Sequence, residues 1–229
     1  MNLAALFSGG KDSTFAISRV QEMGHRVVCL ITMHPRADDS LLFHYPNCWV
    51  TEQLADAMQI PITGCQVRGC SKQDEMKALE EAIVQVKSIY KIQGLVHGGI
   101  SSNYQKYAFE QVCAEQGIAT IAPLWSCEPK SYITQLIKQG FRIMITGVSS
   151  MGLGREWLGQ ELDAGAITKL VYLSKKFGFN LTFEGGEAET LVIDCPLYYK
   201  KIQVNSATTL WDGQRGIFEI QDVALIEKK

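Results

Sequence analysis

Apolar residues along this chain recur at two spacings, and the spacing changes every ten to twenty residues. Residues 3–7 (LAALF) form a continuous apolar run, and residues 26–33 (RVVCLITM) form a second, rich in β-branched side chains. Runs of this length bounded by turn residues predict buried strands. Between such runs the spacing is helical: Met76, Leu79, Ile83, Val86 and Tyr90 fall on one stripe, with Glu80 and Glu81 off it. The pattern predicts strands at 3–7, 26–33, 62–67, 94–97, 118–122 and 141–148. It predicts helices at 13–23, 52–58, 76–90, 102–115 and 130–139. Strands separated by helices imply right-handed crossovers and a doubly wound, mostly parallel α/β sheet covered on both faces.

After Ser150 the alternation stops. Residues 151–180 read as helical, with Leu158, Leu162, Ile167, Leu170 and Leu173 as core. From Glu184 short strands dominate, at 190–193, 201–204 and 217–226. The expected organisation is therefore a first domain over 1–150 and a smaller α+β lobe over 151–229.

Composition narrows the function classes. With 46% hydrophobic and 20% charged residues in 229, the chain reads as an ordinary globular protein with a large core. No apolar run approaches the roughly 18 residues of a membrane span. The start lacks the basic residues and cleavage site of a signal peptide, so the cytoplasm is the expected compartment. Seven scattered cysteines, an odd number, fit reduced thiols. The net charge of −2 lacks the basic surplus of a nucleic-acid binder, which favours a protein or small-molecule partner. A homo-oligomer is left open.

The strongest chemical signal is Ser8-Gly9-Gly10-Lys11-Asp12-Ser13, between the first strand and the first helix. Its glycines let backbone amides approach an anion, and the helix start adds a positive end. Lys11 supplies charge for phosphate, Asp12 can hold Mg²⁺ or its waters, and Ser8 and Ser13 carry hydroxyls. The loop is not a Walker A motif, which requires G-x-x-x-x-G-K-[ST]. In a doubly wound sheet, ligands sit beyond the carboxyl ends of strands where the order reverses. The expected partner across that point is strand 94–97, which ends in Gly98-Gly99-Ile100-Ser101-Ser102. Two glycine turns facing each other would cradle a nucleotide, with Met33-His34 under the adenine. A second signal is the acidic run Glu184-Gly185-Gly186-Glu187-Ala188-Glu189-Thr190, followed by Asp194-Cys195-Pro196. Three carboxylates so close repel one another and call for a cation, either Mg²⁺ or a positively charged substrate.

These motifs together resemble the diphthine–ammonia ligases, a branch of the PP-loop ATP pyrophosphatases, over nearly the whole length. Besides SGGKDS, the resemblance rests on Ser102-Asn103-Tyr104-Gln105-Lys106 with Cys113 downstream, Pro123-Leu124-Trp125, Gly147-Val148, Gly152-Leu153, Leu158-Gly159, the 184–190 run and Asp194-Cys195-Pro196. It implies a Rossmann-like fold of the adenine nucleotide alpha-hydrolase type. It also implies ATP and Mg²⁺, with catalysis by Lys11 and Asp12 and the pyrophosphate held by residues 8–13 with Gly98, Gly99 and Ser102. The implied acceptor is the diphthine carboxylate on translation elongation factor 2, amidated with ammonium to give AMP and pyrophosphate. Tyr104, Gln105, Trp125, Glu184, Gly185, Gly186, Glu187, Glu189 and Thr190 would meet this acceptor, carboxylates and aromatic faces receiving its trimethylammonium group. Three positions depart from the family pattern: Phe183 stands for the usual glycine, Ala188 for an aromatic, and Asn103 for a frequent aspartate. A short archaeal-type chain is the nearest form.

Three rivals share parts of this pattern. A tRNA thiolase or lysidine-type enzyme would share SGGKDS, but thiolation wants a cysteine pair, and Cys65 and Cys70 are spaced poorly for metal. A small-molecule amide synthetase is the second, and a non-enzymatic nucleotide sensor the third. His25, His34, His44 and His97 form no zinc signature, and His97 reads as a satisfied histidine at a strand end.

Overall fold

The computed structural model describes residues 1–34, 47–69 and 71–228. The chain divides into two compact units, Met1–Trp125 and Ser126–Lys229.

The first unit alternates strand and helix throughout: β1 (Asn2–Leu6), α1 (Lys11–Glu22), β2 (Arg26–His34), α2 (Val50–Met58), β3 (Ile62–Gln66), α3 (Lys72–Tyr90), β4 (Gly94–Val96), α4 (Asn103–Glu115) and β5 (Ala119–Ile121). The five strands are parallel in the order β3-β2-β1-β4-β5. From β1 the chain first steps toward the β3 edge, then returns to the far side of β1. Right-handed crossovers therefore place α1 and α2 on one face and α3 and α4 on the other. One core cluster joins Ala4, Leu6, Cys29, Ile31 and Leu95 of the strands to Leu79 and Ile83 of α3 and to Phe109 and Val112 of α4. Alternation along the strand sends Leu3 and Ala5, also fully buried, to the opposite side. Helix α3 begins at a reciprocal cap: Ser71 Oγ accepts the Asp74 amide while Asp74 accepts the Ser71 amide.

The second unit contains α5 (Pro129–Lys138), β6 (Arg142–Val148), a 3-10 turn (Arg155–Trp157), α6 (Ala164–Phe177), β7 (Ala188–Asp194), β8 (Lys200–Trp211) and β9 (Gly216–Glu227). Its sheet is antiparallel, in the order β7-β6-β9-β8. The expected division near residue 150 is thereby corrected. Strand β6 follows a helix, as a parallel crossover strand would, but Ile145 lies opposite Thr190 of β7 and Gly147 opposite Ile217 of β9. An apolar run states that a strand is buried, not which neighbour it takes or in which direction. The strand expected at 201–204 spans 12 residues, because Ser206, Thr208 and Thr209 carry no apolar signal yet pair along β9.

Leu79 on α3 is wholly buried beneath the sheet. Replacing it with alanine is expected to lower unfolding free energy by about 2–5 kcal/mol, read as a reduced urea midpoint.

Candidate functional site

The sheet order reverses between β1 and β4, and both strands end in a glycine turn. After β1 the chain turns at Gly9, whose φ of +76° suits glycine, and Gly10 is extended before α1 starts at Lys11. Two serines brace the loop: Ser8 and Ser13 hydroxyls lie 3.2 Å apart, and Ser13 Oγ accepts the Ser8 amide at 3.3 Å. Thr14 Oγ1 donates to the Gly10 carbonyl at 2.8 Å. Helices α3, α4, α5 and α6 each carry a side-chain cap, from Ser71, Ser102, Glu128 and Asp163 respectively. Helix α2 has no side-chain cap, and neither does α1. The amino-terminal end of α1 thus keeps the polarity that favours an anion. Lys11 is 2% exposed, and its Nζ sits 2.9 Å from Asp12 Oδ2, so the buried ammonium has a counter-charge within its own loop.

The turn after β4 touches this loop directly. A Cβ placed on Gly98 would lie 2.6 Å from the Asp12 carbonyl carbon and 2.7 Å from the Ser13 nitrogen. Only glycine lets the two backbones meet. His97 is buried and its Nδ1 accepts the Gly99 amide at 3.1 Å. Ser102 Oγ accepts the Gln105 amide and starts α4.

The expected acceptor residues on this unit have other neighbours. Lys72 Nζ lies 4.4 Å from the centre of the Tyr104 ring, and Lys106 Nζ lies 4.6 Å from that of Trp125. Both aromatic faces already carry a cation. Burial first, then the Glu75 carboxylate, raise the Tyr104 phenol above its ordinary value, so it stays neutral. Met33 belongs to the core cluster beneath α3, while the His34 ring covers Gly64 of β3. The adenine was expected at this pair; of the two, only His34 lies outside that core. His44 and Cys70 fall outside the described residues. No lysine over an aromatic ring was expected from the sequence, since neither pair has a spacing that announces it.

In the second unit the acidic run folds into a tight loop entering β7. Both oxygens of Glu187 accept backbone amides, from Asn180 at 3.0 Å and from Gly185 at 2.9 Å. The Glu187 carbonyl accepts the Ser149 amide, and the Ser149 hydroxyl donates to the Gly186 carbonyl. Glu184 is half-buried just ahead of this knot. Glu189 faces Gly147 across the β6–β7 pair so closely that a Cβ placed on that glycine would lie 3.0 Å from the Glu189 Cβ, and Thr190 lies opposite Ile145. Ala188 is buried.

Phe183 has φ of +63°, the left-handed region, which accounts for glycine being usual there. The ring is 4% exposed and packs 6.3 Å from Phe179. Phe183→Gly would relieve about 1–2 kcal/mol of backbone strain. It would also lose about 3–5 kcal/mol of aromatic burial. The net expectation is a loss of about 1–4 kcal/mol, measured by urea unfolding.

The chain's relatives agree with this arrangement of parts. Residues 1–120 match the diphthamide synthase N-terminal domain and residues 128–226 its C-terminal domain. The human protein named diphthine–ammonia ligase is 32% identical over 225 residues, covering 90% of this chain and 84% of the relative. The zebrafish protein of that name is 31% identical over 228 residues, covering 92% and 89%. A solved structure titled as a predicted subunit of a tRNA methyltransferase from Methanocaldococcus jannaschii aligns over 97% of this chain, at 14% identity and a TM-score of 0.39, too slight a likeness to bear on it. By both matching domains and by identity along nearly its whole length, the chain belongs to the diphthine–ammonia ligase family.

Proposed function

We propose that this chain is an AMP-forming ligase that amidates the diphthine carboxylate on translation elongation factor 2, with ammonium as the nitrogen donor. The observation that carries the reading is the uncapped start of α1, with Lys11 buried beside it and the Gly98 turn resting on the Asp12–Ser13 peptide. A carboxylate cannot release oxide to ammonia. Attack of its oxygen on the α-phosphorus of ATP breaks the bond to the β-phosphate and releases pyrophosphate. Ammonia then adds at the acyl carbon, AMP departs, and a proton is lost to give the neutral amide.

Residues 8–13 serve the first step. The α1 amides and the Lys11 ammonium stabilise charge accumulating on pyrophosphate, where a preorganised donor is worth most. Asp12 fits Mg²⁺, which takes one or two carboxylates together with phosphate oxygens, and the ion would neutralise phosphate charge there. Gly99 and Ser102 complete the nucleotide side of the site. Tyr104, Gln105, Trp125, Glu184, Gly185, Gly186, Glu189 and Thr190 remain assigned to the acceptor, with Tyr104 and Trp125 having to exchange a lysine for its cation. No helix among the described residues is long and apolar enough to cross a membrane. A translation factor as the proposed substrate supports the cytoplasm as the compartment.

Among the described residues, the buried thiols speak against the thiolating alternative. Burial pushes the Cys29 and Cys195 thiols up to about 12 and raises Cys113, so none of these supplies a thiolate near neutrality.

Three experiments test this reading. Spent nucleotide separated by chromatography is expected to be AMP and pyrophosphate; ADP as the main product would sink the proposal. Lys11→Ala and Asp12→Ala are each expected to reduce turnover about a hundredfold with the fold retained. For the acidic loop, Glu184→Gln is expected to weaken the acceptor and spare ATP. Glu187→Gln should instead lower the thermal midpoint, because its oxygens hold the loop. A rise in the Mg²⁺ requirement for either variant would assign the loop to metal instead.

A further inference from the structure

We infer that His97 is a positioning residue for the nucleotide loop: through Nδ1 it holds the Gly99 amide and so seats the second glycine turn on the Asp12–Ser13 peptide. The inference rests on the reading that residues 8–13 receive the pyrophosphate, and it assigns His97 no contact with the nucleotide.

His97 is held through both its backbone and its ring. The His97 backbone amide donates to the Ile121 carbonyl at 3.1 Å, tying the end of β4 to β5. The ring meets Phe109 of α4 edge-on, with centroids 4.9 Å apart. Nδ1 accepts the Gly99 amide at 3.1 Å. An acceptor at Nδ1 requires a lone pair there, so a neutral ring carries its proton on Nε2. Gly99 is matched to this bond, since a Cβ on it would lie 2.9 Å from Nδ1.

The consequence passes through Gly98. Its would-be Cβ lies 2.6–2.8 Å from the Asp12 carbonyl group and the Ser13 nitrogen, leaving no side chain to absorb a shift. That peptide lies in the first turn of α1 and carries one of the amides proposed for pyrophosphate. A turn released from Nδ1 would move against it, and the displacement would appear in nucleotide affinity.

The competing explanation is that the ring only fills the core beside Phe109. Two variants separate the explanations because they are expected to rank in opposite orders. His97→Phe keeps an aromatic ring and deletes the acceptor; His97→Asn puts Oδ1 near the place of Nδ1 and deletes the bulk of the ring. If the acceptor matters, His97→Phe raises the KM for ATP about tenfold at nearly unchanged kcat, the loss of one buried hydrogen bond, while His97→Asn stays within about threefold. If packing alone matters, His97→Phe is harmless, His97→Asn lowers the thermal midpoint, and the inference is overturned. Should His97→Phe not fold, His97→Leu deletes the same acceptor while keeping apolar bulk beside Phe109, and is expected to raise KM similarly.

Nitrogen-15 spectra of the nucleotide-free wild-type protein supply an independent reading. They are expected to show His97 Nδ1 unprotonated, and a protonated Nδ1 would overturn the inference. This readout is unaffected if the nucleotide reading fails. That failure would appear separately, as Lys11→Ala leaving ATP binding intact.

Discussion

The approach of two backbones at the switch point, with no side chain between them, is the constraint on which the first unit depends. Gly98 can reach the Asp12–Ser13 peptide only because β4 lies directly beside β1. That adjacency follows from the reversal of strand order, which in turn requires α3 to cross back over the opposite face from α1. The long apolar stripe of α3 makes the crossing possible by filling the space beneath β1, β2 and β4. Packing of a helix far from the chemistry thus determines where the two glycine turns meet.

The second unit handles charge differently. Its carboxylates crowd a short loop, and the repulsion is reduced by giving one of them two backbone amides of the loop itself. Glu187 becomes part of the scaffold, which leaves Glu184 and Glu189 to set the loop's character. Phe183 shows the same trade in packing terms: an unfavourable dihedral persists because the ring beyond it is buried against Phe179.

Much of this was legible in the sequence. The five strands and four helices of the first unit fall within a few residues of their expected places, because continuous apolar runs and a 3.6-residue stripe report burial directly. The adjacency of β1 and β4 was readable as well, since both strands end in glycine pairs. Other features lay beyond a local pattern. Strand β6 looks like any buried strand until its partners are known, and the polar half of β8 has no apolar alternation to reveal it. The lysines over Tyr104 and Trp125 come from tertiary geometry: Lys72 opens α3, while Trp125 follows β5. Glu187 could not be told from its neighbouring glutamates without knowing which amides it meets. Phe183 was marked only as a departure from the family's glycine, and its positive φ gives that departure a physical meaning.

The Lys11–Asp12 pair bears on how nucleotide binding responds to solution conditions. Before ATP arrives, the loop is electrically closed upon itself, an ammonium facing a carboxylate. Under the proposed chemistry, magnesium-bound ATP would bring both signs at once: its phosphates would take up the Lys11 ammonium, and the Asp12 carboxylate would hold the ion. Binding is then an exchange of partners, with little net charge neutralised and few counter-ions released. Affinity for the magnesium complex should accordingly vary only weakly with ionic strength, whereas free pyrophosphate, carrying one sign alone, should be strongly sensitive to it.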